Sequence, residues 1–285
     1  MSSRFGWRIG ISIHFSDSFE EELAKAKDAG FSSVDFDLCQ FWTKRDKEIE
    51  LYTRLEEGLE AIKRSGLYFN AVHISFGPNW DVSLLDSERR RAALTRIKEI
   101  FERCNPYSPY TYVIHGGYNT KDLNTRPERI ENLKSSLREL RKLTECGIAL
   151  ENLPRNGIGN TSEELISIID SVEGIGACID TNHFLQEKVE TAILSVGKRI
   201  LTTHISDCDY LDEKHWMPGE GIVDFRAVIS ALEDVGYEGS WTYELGLMPT
   251  KTVERRRLEY SDFIRNADEL FSGKPITVLG KPIKD

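Results

Sequence analysis

The sequence has no CxxC pair and only five cysteines, Cys39, Cys104, Cys146, Cys178 and Cys208, dispersed and odd in number. This spacing speaks against a disulfide framework and a thiolate zinc cage, and it suits thiols kept reduced in the cytoplasm. No uninterrupted apolar run exceeds three residues, which excludes a membrane-spanning helix, and the polar start MSSRFGWRIGISIH has no signal-peptide core. A cytoplasmic protein without a membrane partner is therefore expected. Positive charge is in deficit, with 37 Lys and Arg against 47 Asp and Glu and a net charge of −10, so the overall field repels polyanions. An anionic substrate would need a local cluster of donors. Neither GxGxxG nor GxxxxGK[ST] follows the first strand-like segment, so the usual dinucleotide and nucleotide cradles are missing.

What is there is a regular alternation. Eight short apolar segments, at 7–14, 31–38, 67–74, 110–116, 147–152, 175–183, 200–207 and 239–246, are separated by longer amphipathic stretches. In the first helical stretch Ser18 can cap and Gly30 can terminate, and helices ending in KDAG, KRSG and TECG lead into the second, third and fifth strands. Strict alternation implies parallel strands, and eight units without a linker or composition break predict a single-domain (β/α)8 TIM barrel over 1–272, with an open doubly wound sheet as runner-up. Residues 273–285 read as a C-terminal tail lying on the barrel.

Five of the six histidines, His14, His73, His115, His183 and His204, fall at or just beyond the C-terminal ends of predicted strands, and His215 follows the seventh in its loop. In a barrel these ends ring one mouth, where active sites of this fold are built. The carboxylates repeat the pattern: Glu151 ends the fifth strand, Asp180 the sixth and Glu244 the eighth, each after apolar residues. Burying one such charge is costly unless it is paired or binds a cation. Four groups on four successive strands, Glu151, Asp180, His204 and Glu244, predict a metal site. Three carboxylates and one imidazole suit Mn2+, Mg2+, Co2+ or Zn2+. Such a site could polarise a sugar carbonyl and acidify the neighbouring C–H, with Glu151 and Glu244 exchanging protons through a metal-stabilised enediolate. The alternative is that either glutamate is a ligand only, with a free base elsewhere.

The segments LEN (150–152), CIDTNH (178–183), HISD (204–207), HWMPGEGIVDF (215–225) and YELG (243–246), in this order, resemble the xylose isomerase-like TIM-barrel superfamily over nearly the whole chain. The nearest look is to sugar phosphate isomerases/epimerases, a group similar to ketose 3-epimerases, hydroxypyruvate isomerases and inosose dehydratases. The resemblance implies a metal-dependent isomerase or epimerase of a small sugar-like substrate, with Glu151, Asp180, His204 and Glu244 as ligands and the two glutamates as proton carriers. It places the catalytic candidate His183 near the substrate, a structural role behind a ligand carboxylate being the alternative. A lyase acting like an inosose dehydratase fits the same residues.

The superfamily also contains endonuclease IV, a trinuclear zinc enzyme that cleaves DNA at abasic sites, and this sequence is similar to its ligand pattern too. By that resemblance His73, His115, His183, Glu213 and His215 become ligands of a second or third metal, or substrate-binding groups, with Glu213 where that family has aspartate. One metal per chain is the first expectation and two to three the alternative. The nuclease ranks second because the loops lack basic and aromatic interleaving, although acidic net charge alone does not rule out a local phosphate-binding patch. Strand four ends in HGG rather than in a histidine followed by proline, and the nuclease's first-strand glycine loop is absent near His14.

Around these groups, Arg155, Lys214 and Trp216 are substrate-binding candidates, the first two by charge and the third as an apolar wall. Trp42, Trp80 and Phe15 are further mouth aromatics, and Asp224 is an N-cap candidate for a helix starting at Phe225. The RRR runs at 89–91 and 255–257 read as solvated helix faces. A homo-oligomer is an open alternative, as is a binding or regulatory barrel carrying a relic site.

Overall fold

The computed structural model describes residues 6–14, 16–39, 48–117 and 122–283. Eight parallel strands, β1 (Arg8–His14), β2 (Ser33–Asp37), β3 (Tyr68–His73), β4 (Thr111–His115), β5 (Gly147–Glu151), β6 (Ile175–Asp180), β7 (Ile200–Ile205) and β8 (Ser240–Tyr243), close in sequence order into one barrel. Closure is by β1 against β8, with Arg8 opposite Ser240 and Ile11 opposite Tyr243. Each strand lies inside its expected segment, and the closed register replaces the open-sheet alternative.

The helices α1 (Phe19–Ala29), α2 (Glu48–Ser65), α3 (Ser87–Cys104), α4 (Arg126–Arg141), α5 (Ser162–Ile169), α6 (Val189–Val196), α7 (Phe225–Asp234) and α8 (Tyr260–Ser272) form the outer ring. Among the described residues no helix is long and apolar enough to cross a membrane. All five cysteines are unpaired.

Strands covered on both sides read as apolar runs, and β2, Ser-Val-Asp-Phe-Asp, is buried throughout. Its outward Phe36 meets Phe19 of α1 with ring centroids 5.1 Å apart. Its alternate positions, Ser33, Asp35 and Asp37, turn into the barrel. The seam between β1 and β8 is held by aromatics: Trp7 stacks on Trp241 at 6.2 Å, and Phe271 of α8 meets both edge-on.

Two bulges shape the interior. Along β2 and β3 the pairing passes from Val34 opposite Phe69 to Asp35 opposite Ala71, so Asn70 is an extra residue in β3. Along β6 and β7 it passes from Ala177 opposite Ile200 to Cys178 opposite Thr202, leaving Leu201 extra. One wall of the interior is apolar, built from Ala71, Val113, Ala149 and Cys178. The other is polar, with Asp35, Asn70, Thr202 and Thr242 all buried. Gly10 on β1 is required by that crowding, since a Cβ there would lie 2.6 Å from Ser33 Oγ and 2.8 Å from Thr242 Oγ1.

Some local expectations are corrected. Ser18 occupies the N-cap position of α1 with φ −98° and ψ 13°, outside the extended geometry a cap needs, and its hydroxyl meets Ser16 Oγ instead. Gly30 does end α1 in the left-handed conformation, and Gly66 turns at φ 68° after α2. The TECG turn differs: α4 stops at Arg141, whose Nη1 donates to Cys146 O at 2.6 Å, so a guanidinium rather than a glycine closes that turn. Asp224 caps α7, accepting from the backbone N–H of Arg226 and Ala227.

Arg255 is not on a helix face. Its fully buried side chain pairs with buried Glu220 at 2.6 Å, between β9 (Val253–Glu254) and α8. Residues 273–283 run back along the β7–α7 loop, with Ile276 against Gly219 and Gly280 against Glu220. Thr277 bonds Glu269, and β10 (Lys281–Pro282) pairs antiparallel with β9.

Candidate metal centre and active site

The C-terminal strand ends open into a cavity of about 670 Å3 whose floor includes His73, Glu151 and Glu244 and whose wall includes Phe76, Arg155 and Leu245. Glu151, at the end of β5, is the hub. Its Oε2 lies 3.0 Å from both His73 Nε2 and His115 Nε2, and its Oε1 lies 3.4 Å from His204 Nδ1 and 3.5 Å from His183 Nδ1. Glu244, just past β8, places Oε2 3.2 Å from His204 Nδ1 and Oε1 3.7 Å from His73 Nε2. Asp180, at the end of β6, accepts the Asn182 N–H on Oδ1 at 2.7 Å. Its Oδ2, 3.3 Å from His183 Nδ1, is buried with no hydrogen-bond partner.

The far nitrogen of each imidazole fixes which one can act toward the mouth. His73 Nδ1 donates to Ile74 O at 3.1 Å, His183 Nδ1 to Asn152 O at 3.0 Å and His215 Nδ1 to Glu244 O at 3.0 Å. A carbonyl only accepts, so these nitrogens carry hydrogen. His204 Nε2 faces Asp35 Oδ2 at 3.3 Å with the same consequence. In a neutral ring the remaining nitrogen is an acceptor. His73 Nε2 and His204 Nδ1 nevertheless face carboxylate oxygens at 3.0 and 3.2 Å. Acceptor against acceptor is held together only by a cation between them, a proton or a metal ion.

The proton affinities follow from the same crowding. Burial disfavours the imidazolium of His204, but Cys178, Glu244 and Glu151 outweigh it and hold the ring well above the usual imidazole range. For His73 burial is likewise overcome, by Cys39 and Glu151. Burial raises the Glu151 carboxyl, yet His115 and His204 pull it well below the ordinary carboxylate range, and His204 does the same for Glu244. Asp180 goes the other way, pushed well up by burial and by Glu244 and Glu151.

A second group stands beside the first. His183 Nε2 lies 3.5 Å from Glu213 Oε2, and ligand atoms of His183, Glu213 and His215 all fall within 4.8 Å of one another. Arg155 reaches across the mouth to Asp212 at 2.5 Å and Glu213 at 3.3 Å. The loop that presents Glu213 and His215 is organised from below by Asp207, which accepts the N–H of Cys208, Gly219, Gly221 and Val223 at 2.8–3.1 Å. Burial, working against those four donors, pushes its carboxyl up to about 6.

The sequence candidates thus divide. Glu151, Asp180, His183, His204, Glu244, His73, His115, Glu213, His215 and Arg155 are gathered at the mouth. Trp216 is not a wall: it is buried, and its Nε1 donates to Thr252 Oγ1 at 3.0 Å. Lys214 turns to Asp209 at 3.6 Å and lies 5.9 Å from the Trp216 ring, and neither side chain is among those lining the cavity, contrary to expectation. Trp42 and Phe15 fall outside the described residues. Among the described residues, the exposed aromatic at the mouth is Phe76, 52% accessible and stacked on His115 at 5.2 Å. His14 lines the mouth, its Nδ1 2.8 Å from Asp37 Oδ2. Sequence reasoning passed over Asp35, Asp37 and Asn152. The alternation of carboxylates in β2 was the available signal for the first two, and the LEN triplet for the third.

The model of the xylose isomerase-like TIM barrel family matches residues 23–264. The chain is 24% identical over 275 residues to the D-psicose 3-epimerase of Enterocloster bolteae, covering 90% of this chain and 85% of that one. It is 27% identical over 181 residues to an uncharacterized protein of Methanocaldococcus jannaschii, an alignment covering 59% of this chain and 61% of that protein, less than two thirds of its length. The solved structure of the 3-keto-D-glucoside 4-epimerase from E. coli superposes with a TM-score of 0.72 at 20% identity, over 92% of this chain and 99% of that one, a likeness of fold. With the barrel closed, the ligand-capable residues at its mouth and the family match running from α1 into α8, the chain belongs to the xylose isomerase-like TIM barrel family.

Proposed function

We propose that this protein is a divalent-metal-dependent isomerase or epimerase of a small sugar, polyol or related hydroxy-carbonyl compound. One observation carries the reading: His204, pinned from behind, turns its free nitrogen onto Glu151 and Glu244, and Asp180, in register with it on β6, holds a buried Oδ2 that no hydrogen bond satisfies. Glu151, Asp180, His204 and Glu244 fit a divalent ion by donor chemistry, being three carboxylates and one imidazole around an excess of negative charge. A divalent ion held there supplies Lewis acidity to adjacent hydroxyl and carbonyl oxygens and acidifies the neighbouring C–H.

Glu244 faces the cavity at 16% side-chain exposure, Glu151 lies beneath it, and both are kept ionised by their histidines. One of the two removes the proton from the hydroxyl-bearing carbon beside the carbonyl, the C–H electron pair becomes the C=C bond, and the carbonyl π pair moves onto oxygen to give an enediolate. The other, once it has taken up a proton from solvent in the cavity, delivers it to the opposite face of the same carbon, which epimerises it, or to the former carbonyl carbon, which moves the carbonyl as the hydroxyl proton passes to the former carbonyl oxygen; the first glutamate then gives its proton back to solvent. His183 and His215 orient the substrate, and Phe76 and Leu245 offer apolar surface to its C–H face. The sugar epimerases among its relatives support this choice of substrate class.

The reading is tested on a panel of ketoses and inososes in D2O. A true substrate gains deuterium at the epimerised carbon, and Glu244→Gln loses about 10²–10⁴ of the rate. Full turnover in Glu244→Gln contradicts the two-glutamate mechanism.

A second reading rests on the His183, Glu213 and His215 group. If it holds further metal, the site carries two to three ions, as the resemblance to endonuclease IV implies. Cleavage of abasic-site DNA by protein holding two to three zinc ions, with no activity on the sugar panel, would favour that nuclease reading.

A further inference from the structure

Barrel interiors of this fold are filled by branched apolar side chains, and a carboxylate among them is costly unless it is bonded. Asp35 is such a carboxylate, fully buried on β2. Its two oxygens are committed to different partners. Oδ1 accepts Asn70 Nδ2 at 2.7 Å, and Oδ2 faces His204 Nε2 at 3.3 Å. Asn70 reaches it because it is the extra residue of the β3 bulge, and it also donates to Thr202 Oγ1 at 3.0 Å on the far side of the barrel. With its amide nitrogen spent on acceptors, Asn70 can offer Asp35 only a donor.

We infer that Asp35, set by Asn70, is a positioning residue that holds His204 with hydrogen on Nε2 and its Nδ1 lone pair turned to the metal centre. The inference rests on the metal reading above and adds to it the groups that select the ligating nitrogen. The reverse tautomer would put a hydrogen on Nδ1, between two glutamates and in the place of a ligand lone pair.

The arrangement predicts a reversible defect. In Asp35→Asn, Asn70 keeps the new amide's oxygen toward itself, so the new NH2 faces His204 Nε2 and forces the hydrogen to Nδ1. In the swapped pair Asp35→Asn with Asn70→Asp, the carboxylate at position 70 accepts from the amide at 35, whose oxygen then faces Nε2 and restores the original tautomer. Co2+ titration of each purified protein, followed by the absorption of the bound ion, reads the effect without reference to turnover. Asp35→Asn is expected to bind Co2+ about 10–100-fold more weakly than the parent, and the swapped pair to recover most of that loss. Asp35→Asn that melts like the parent and binds Co2+ within about twofold of it overturns the role of Asp35. If that variant does not fold, the parent decides. Histidine 15N spectra of the Zn2+-loaded protein should show His204 bound through Nδ1 with hydrogen on Nε2, and ligation through Nε2 overturns the inference. A parent protein that takes up neither Co2+ nor Zn2+ overturns the metal reading itself, an outcome distinct from a bound metal that ignores Asp35.

Discussion

Glu220 and Arg255 form a pair fully removed from water beneath the loop that carries His215, and Glu220 also accepts the Met217 N–H at 3.0 Å. Removing one member of a buried pair leaves an uncompensated charge, whereas replacing both by apolar groups of similar volume is often tolerated. Glu220→Ala is therefore expected to lower unfolding stability by about 3–5 kcal/mol in urea titration, and Glu220→Leu with Arg255→Met to recover most of it. A single variant as stable as the parent would show the pair to be inert. Arg255 reads in the sequence as one of three consecutive arginines on a solvated helix, because burial of a charge is decided by a partner 35 residues away. The same holds for Asp35, whose partners are on β3 and β7. Glu151, Asp180 and Glu244 were legible because each follows apolar residues at a strand end, where a charge stands out against its own neighbours, and His204 because it falls with the other histidines near a strand end.

At the scale of elements, strand positions were legible to within a few residues because two-sided burial writes continuous apolar runs, and helix ends were legible where glycine or aspartate supplies the local geometry. Register was not, since a bulge is a relation between two strands. The bulge that brings Asn70 inward leaves no mark in LYFNAVHI. Gly10 shows the consequence on β1, where Ser33 and Thr242 occupy the space a side chain would need. Gly10→Ala is expected to cost about 1–3 kcal/mol through overpacking, measured by thermal unfolding, and no change in melting temperature would mean that the hydroxyls turn away freely.

The start of α8 carries a pH dependence of definite sign. Asp262 bonds Arg256 and closes a capping box with Glu259, and chiefly the Arg256 hydrogen bond, against some desolvation, brings its carboxyl down to about 2. Its folded-state value lies below its unfolded one, so its contribution is complete above about pH 4 and disappears as the pH falls toward 2. Asp262→Asn should therefore flatten the acid limb of the stability curve in that window and leave the neutral region merely lower. An unchanged acid limb would assign the effect elsewhere.

The whole molecule is a device for bringing the ends of eight strands to one place. Pairing of β8 with β7 sets Glu244 beside His204, closure by β1 against β8 brings Glu244 to His73 of β3 and His204 to Asp35 of β2 across the barrel, and the loop organised by Asp207 brings His215 over them. Without a metal the buried carboxylates are balanced by protons on His73 and His204 and on Asp180; in the proposed function a divalent ion, binding only the folded state, takes over that balance. At 100 times its dissociation constant such an ion stabilises by about 2.7 kcal/mol, so chelator should lower the melting temperature and added Mn2+, Co2+ or Zn2+ restore it.

Elemental analysis of protein purified without added metal, with Glu151→Ala as comparison, reads the proposed metal site without reference to turnover. About one divalent ion per chain is expected, or two to three if the His183, Glu213 and His215 group is also filled, with at least one ion lost in the variant. A parent protein that is metal-free and stays so after dialysis against Mn2+, Co2+ and Zn2+ would contradict the proposed site.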